Sequence, residues 1–306
     1  MEIIRNQEIK EIGISNEKII KWVTQVFLDK HLCSLPPKIS QKFKGGYGFY
    51  NTMPSINPLI DSYGVKVVTR YPNRTPSIKG DFLLYSYSSG NLLALMDATW
   101  TTVKRTGAVA ALAVKTFAKE NYKNIALTGF GQCGYSFADM VTTIDGVKKK
   151  KFKLREYKGR AKKMKDYLHK LGVDDVEICL TDESFIRGSD VIVSAITVAT
   201  DVIGKDEWYD EGVLVVPIHT RGFQNCDLFF DKIFADDKAH VSDFNNFSKF
   251  RSFNEFGQVL KGEVEGRTSN SERILSYNIG ISLHDLYLSR KVYEILNNDK
   301  LDSRNN

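Results

Sequence analysis

The stretch that most limits the fold is residues 123–144, KNIALTGFGQCGYSFADMVTTI. It opens with a short apolar run of strand length. Phe137, Met140, Val141 and Ile144 then recur at i, i+3, i+4 and i+7, the spacing of a helix with one buried face. Between the two, Gly129, Gly131 and Gly134 have G-x-G-x-x-G spacing. In a chain with 22 glycines that spacing alone is a weak signal. Set between a strand ending at Thr128 and a helix beginning near Tyr135, it predicts a βα turn suited to a dinucleotide. Gly129 would make the tight turn, Gly131 would let the backbone approach a pyrophosphate, and Gly134 would let the helix pack close to the strand. The free amides of the helix N-terminus would face the phosphate charge. Gly129, Gly131, Gln132, Cys133 and Gly134 are thus candidate cofactor-binding residues; a structural turn without a ligand is the plain alternative.

The rhythm after residue 120 supports a parallel sheet. KFKLREY is a second strand, GRAKKMKDYLHKLG an amphipathic helix, VEICL a third strand, DESFIRGS a short helix, DVIVSAIT a fourth strand and GVLVVPI a fifth. Strands alternating with helices mean βαβ units, and nearly all-apolar strands fit a sheet covered on both faces. Cofactor choice should be legible at the end of the second strand, in LREYKGR. Glu156 argues for NAD through the ribose hydroxyls, whereas Arg155, Lys158 and Arg160 argue for the 2′-phosphate of NADP. Both remain open. Thr197, after the fourth strand, falls where ligands meet the carboxyl ends of such sheets.

The region before residue 118 has a different pattern. SNEKIIKWVTQVFLDKHL is a helix capped by Ser15 or Asn16. YGVKVVTRYP and GDFLLYSYSSGNLLALMDAT read as strands, and TTVKRTGAVAALAVKTFA as a long alanine-rich helix. The segment 276–296, SYNIGISLHDLYLSRKVYEIL, reads as a last helix. The expected fold is therefore α/β. A Rossmann-type doubly wound domain (118–280) stands with an α+β substrate and dimerisation domain (1–117, completed by 281–306).

Composition excludes several classes. A net charge of +6, with the run KKKKFK read as a solvated helix end, gives no patterned nucleic-acid surface. Cys33, Cys133, Cys179 and Cys226 form no C-x-x-C pair, and the five histidines have no metal-site spacing. No metal is expected. Without a signal peptide or a membrane-length apolar run, no membrane association is expected, and a reduced, cytoplasmic setting is.

Three cations precede the glycine turn. Lys38 follows two prolines, Lys66 sits in GVKVV, and Arg105 lies in a helix whose apolar neighbours face a core. A buried positive charge should be paired or bound to an anion, and arginine's planar fork suits a carboxylate. For each residue alone, a surface or ion-pair role is at least as good a reading.

The order of motifs carries more. MP at 53–54, GVKVV at 64–68, LLALMDATWTTVKRTGAVAALA at 92–113, the glycine turn, and GEVEGRTSNSERILSYNIGISLHD at 262–285 together resemble the ornithine cyclodeaminase/μ-crystallin family. The resemblance spans roughly residues 36–290. It implies a homodimer that binds NAD(H) or NADP(H) and acts by hydride transfer at the carbon–nitrogen bond of an amino acid or its imine. By position, Lys66 and Arg105 match the family's carboxylate-binding pair, and Lys38 a further basic residue. Thr106 matches a residue beside the cofactor phosphates, and Asn278 one near the nicotinamide.

Three departures stand out. Cys133 replaces the family's glutamine after the second glycine. Asn51 replaces a glutamate, two residues before Met-Pro, that faces a substrate amine. Arg221 replaces the catalytic aspartate after the fifth strand, and arginine cannot accept a proton. His219 is then the candidate acid–base group, with a structural loop histidine as the alternative. Lys66 is the other candidate catalytic residue. Arg221 is a candidate for pairing with a second substrate carboxylate. Asp227 and Asp231 nearby read as structural. The alternative to an enzyme is a non-catalytic NAD(P)H or small-ligand binder.

Overall fold

The computed structural model describes residues 1–197, 199, 201–219 and 222–304. The chain divides into two compact units, Met1–Arg105 with Ile281–Asn306, and Thr106–Gly280. The division falls inside one continuous helix, ahead of the expected boundary at 117, because the alanine-rich helix belongs to both units.

The first unit contains β1 (Glu2–Ile4), α1 (Asn6–Glu11), α2 (Asn16–Asp29), β2 (Ile39–Lys42), β3 (Phe49–Asn57), β4 (Ser62–Arg70), β5 (Ile78–Ser86), β6 (Leu92–Asp97) and the start of α3 (Thr99–Phe117). The Pro- and Gly-rich stretch after α2 supplies β2 and β3. Helix α2 starts where the Ser15 hydroxyl accepts the Lys18 amide at 3.3 Å, and it buries Ile19, Trp22, Val23, Val26 and Phe27. The sheet runs β1-β6-β5-β4-β3-β2, antiparallel except for β1 beside β6. Register aligns Ile4, Met96, Phe82, Lys66 and Met53 in one row across five strands. All five are buried, so a lysine stands in an otherwise apolar row.

The second unit continues α3 and adds β7 (Asn124–Thr128), α4 (Gln132–Val141), β8 (Lys151–Arg155), α5 (Ala161–Lys170), β9 (Val176–Cys179), α6 (Asp182–Ile186), β10 (Val191–Ser194), β11 (Leu214–Pro217), α7 (Cys226–Phe229), β12 (Lys232–Ala235), β13 (Phe253–Glu255), α8 (Phe256–Leu260) and β14 (Ile274–Tyr277). Its sheet is parallel throughout, in the order β13-β12-β14-β11-β10-β7-β8-β9. The order reverses between β7 and β10, the switch point at which doubly wound sheets bind ligands. The run KKKKFK begins as a solvated helix end, with exposed Lys148 and Lys149 closing a short 3-10 turn over Val147–Lys149. The run then enters β8, where Lys151 pairs with Glu177 at 2.7 Å and the buried Lys153 donates to the Arg187 carbonyl at 2.5 Å.

The last helix, α9 (Ser282–Arg304), starts later than the apolar pattern from 276 suggests. Ser276 and Tyr277 pair with Phe234 and Ala235 of β12, and Gly280 takes a φ of 97° that ends the strand path. A four-residue apolar run leading into a helix cannot be assigned by periodicity alone. Helix α9 returns to the first unit, lying against β3, β4, β5 and α2. The Ser282 hydroxyl ties its start to the Pro54 carbonyl at 2.8 Å.

Candidate functional site

In the second unit five of the candidate residues follow the carboxyl ends of parallel strands. Gly129 follows β7, Glu156 follows β8, Thr197 lies past β10, His219 past β11, and Asn278 directly after β14. Because the strands run one way, these positions share one edge, in the spatial order Glu156, Gly129, Thr197, His219, Asn278.

Each glycine of the turn has its own geometry. Gly129 has a φ of 87°, and a Cβ there would stand 2.3 Å from the Ala195 carbonyl carbon, so neither the backbone angle nor the space admits a side chain. A Cβ on Gly134 would lie 2.2 Å from the Gly129 oxygen, which fixes the close helix–strand approach. At Gly131 a Cβ would meet nothing within 4 Å. Helix α4 begins at Gln132, three residues ahead of the expected Tyr135, with Gly131 as an N-cap that supplies no side-chain hydrogen bond. Its first amides are therefore left for an anion. Gln132 is exposed and Cys133 half-buried in the first turn. Thr106, buried on α3, precedes Gly107, where a Cβ would stand 2.4 Å from Ser136 Oγ of α4.

Arg155 and Glu156, the residues expected to bear on cofactor choice, have different partners. Arg155 is tied to its neighbours: Nε donates to Asp182 Oδ1 at 2.5 Å, and Nη1 donates to the Leu180 and Glu156 carbonyls at 2.7 and 2.9 Å. Glu156 Oε1 accepts the Gly159 amide at 2.6 Å, which anchors its carboxylate on the loop after β8.

At the other side of the switch point, the buried Ser194 hydroxyl lies 2.6 Å from His219 Nε2. The contact fixes which ring nitrogen faces the sheet. Asn278 is buried; its Oδ1 accepts from Ser276 Oγ at 3.2 Å, while Nδ2 is a buried donor without a hydrogen-bond partner among the described residues. Such an orphan is costly unless a ligand satisfies it. The open space at Gly131, the uncapped helix start and the unpaired Asn278 amide fit a dinucleotide.

In the first unit Lys66 and Arg105 converge. Both are buried, and both reach Asp285 in the first turn of α9: Lys66 Nζ donates to Oδ1 at 2.8 Å, and Arg105 Nε stands 3.5 Å from the same oxygen. Burial pushes the Asp285 carboxyl up, but Lys66 and Arg105 outweigh it and hold it below the usual carboxylate value. Asn51 falls on the face that carries Met53 and pairs with Val68, and its Oδ1 is buried without a hydrogen bond among the described residues. Lys38 is half-buried just ahead of β2, whose first residue pairs with Thr52.

Arg221 lies outside the described residues. Asp227 accepts the Tyr277 hydroxyl at 2.7 Å within the core, and Asp231 accepts the Arg273 amide at 2.8 Å. Sequence reasoning missed Asp285, Ser194 and Asp182, whose meaning depends on contacts with distant residues. Arg267, in the GEVEGR stretch, caps the end of α3 by donating to the Phe117 carbonyl at 2.8 Å. Among the described residues no group of three or more metal-ligating side chains could hold an ion, and no helix is long and apolar enough to cross a membrane.

A parallel sheet with a glycine turn at its switch point defines a dinucleotide-binding type of protein. The chain belongs to the ornithine cyclodeaminase/mu-crystallin family, whose sequence profile it matches over residues 3–300. It is 27% identical over 264 residues to the ketimine reductase mu-crystallin of Macropus fuliginosus, covering 81% of this chain and 80% of that protein. In fold it matches the Thermococcus litoralis Delta(1)-pyrroline-2-carboxylate reductase in complex with NADH and L-proline. That match has a TM-score of 0.85 and 23% identity, covering 96% of this chain and 97% of that one. An archaeal alanine dehydrogenase dimer with bound NAD matches at a TM-score of 0.84 and 24% identity, covering 96% and 95%.

Proposed function

We propose that this protein is an NAD(P)-linked oxidoreductase acting at the carbon–nitrogen bond of an amino acid or its imine. The observation that carries the reading is the pair of buried cations, Lys66 and Arg105, in a family whose relatives reduce imino acids. They would bind the substrate carboxylate, Arg105 through its planar fork and Lys66 as a point charge. Lys38 and Asn51 would contact the remainder of the substrate, Asn51 through an acceptor that no group among the described residues satisfies.

The α4 amides and Gly131 would hold the cofactor phosphates, Glu156 the adenosine ribose, and the Asn278 amide the nicotinamide carboxamide. A bound nicotinamide supplies the hydride acceptor or donor. Reduction of an imine also needs a proton at nitrogen. His219, whose Nε2 lies 2.6 Å from the Ser194 hydroxyl, would serve as the acid–base group, a role suited to an imidazole side chain. We favour NAD over NADP because Arg155 is tied to Asp182 and two carbonyls and is turned from a 2′-phosphate. A homodimer fits the dimeric archaeal neighbour, and a cytoplasmic setting fits four free cysteines.

The test is an assay of the full-length protein with cyclic and acyclic imino acids and with amino acids. NADH absorbance and ammonia release are followed together. Net NADH turnover with an imino acid supports a reductase or dehydrogenase; ammonia release without net turnover supports a cyclodeaminase. Tight NADH binding with neither signal overturns the enzyme reading in favour of a ligand binder.

A further inference from the structure

The buried trio of Lys66, Arg105 and Asp285 contains more than two carboxylate-binding cations. Its third member comes from the last helix of the unit and supplies the opposite charge. All three residues are at least nine-tenths buried. Two like charges in such a place repel each other and lose hydration, and a lysine meets that cost by giving up its proton. A neutral Lys66 would be a poor carboxylate ligand. Asp285 prevents this: its Oδ1 accepts the Lys66 ammonium at 2.8 Å and faces Arg105 Nε at 3.5 Å. It meets Arg105 through Nε and does not engage the two terminal nitrogens, the pair that forms a fork around a carboxylate. Its second oxygen, Oδ2, is buried and makes no hydrogen bond among the described residues, so the carboxylate is retained for its charge rather than for a filled bonding shell.

We propose that Asp285 is a positioning residue for the substrate site: it keeps Lys66 protonated and sets Arg105 so that the pair receives one carboxylate. The trio carries two positive charges and one negative, and one monoanion neutralises it. This inference rests on the proposed assignment of Lys66 and Arg105 to the substrate acid. The charged and titratable groups facing Asp285 are Lys66 of β4, Arg105 of α3 and His284 of α9.

The test is calorimetry of the full-length protein with pyrrole-2-carboxylate, a planar acid without a titrating amine, in two buffers of different ionisation enthalpy. Pyrrole-2-carboxamide is the uncharged control. The wild-type protein should bind the acid, but not the amide, with less than about 0.2 proton taken up near pH 8.5. Asp285→Asn should bind it at least about tenfold more weakly there and take up a substantial fraction of a proton, with affinity recovering as the pH is lowered. Uptake approaching a full proton by the wild type overturns the proposal, and that measurement needs no variant to fold. So does an Asp285→Asn protein that binds as the wild type does while Lys66→Met does not bind. Acid binding that is indifferent to Lys66→Met, or absent in the wild type, removes the substrate-site assignment itself.

Discussion

Alanine at Gly131 and alanine at Gly134 separate the ligand role of the turn from its packing role. A methyl carbon at Gly134 falls 2.2 Å from the Gly129 oxygen, a backbone atom that cannot swing aside. Either α4 or the turn must shift, and overpacking of this kind costs about 1–3 kcal/mol. At Gly131 the same carbon meets nothing within 4 Å, and the backbone angles, φ −92° and ψ −172°, are open to alanine. Only the weaker capping by alanine counts against it, less than about 1 kcal/mol. The methyl would stand, however, where a phosphate approaches the helix start. Loss of about 1.4 kcal/mol of binding there is a tenfold change. Urea unfolding without cofactor and quenching of protein fluorescence by NADH measure the two effects separately. Gly131→Ala should unfold close to the wild type yet bind NADH at least about tenfold more weakly. Gly134→Ala should lose stability first. The reasoning is refuted if Gly131→Ala binds NADH as tightly as the wild type, or loses as much stability as Gly134→Ala.

Two further perturbations are informative. Asp182→Ala releases Arg155 Nε and should raise the affinity for NADPH relative to NADH by roughly 3–10-fold, about the worth of a charge-assisted hydrogen bond; an unchanged ratio in paired titrations removes the role given to Asp182. Burial pushes the Asp227 carboxyl up to about 6, against the lowering effect of hydrogen bonds from Tyr277 and Asn246. A folded value above the ordinary 3.8 means a stabilising contribution that is complete below 3.8 and lost as pH rises through 6. Asp227→Asn should therefore flatten urea stability across that window; a variant that keeps the wild-type slope refutes the assignment.

Local signals made part of this molecule readable. The glycine turn, the apolar strands β7 to β11 and the helices between them follow from periodicity and turn chemistry, which act over a few residues. Strands β12, β13 and β14 escaped. β13 is three residues long and β14 leads towards a helix, so neither has enough length to show a period. In the first unit Lys66 and Arg105 were legible as cations among apolar neighbours. Asp285 was not: an acidic residue in the first turn of a helix reads as ordinary dipole complement. Its meaning comes from a partner 219 residues away. Ser194 escaped for the same reason, since a small polar residue ending a strand has no distinguishing pattern until His219 is placed beside it. Arg155 shows the reverse: its sequence position favours a phosphate, and the contact with Asp182 on a neighbouring element changes that reading.

Hydride transfer to the carbon of a C–N bond is best tested by isotope. NADH deuterated at C4 of the nicotinamide is incubated with imino acids in ordinary water, and the amino acids formed are analysed by mass and NMR. Deuterium on the carbon bonded to nitrogen is the expected result. NADH that stays bound and unconsumed across the panel, or an amino acid formed without label from either face of C4, contradicts an oxidoreductase acting at that bond.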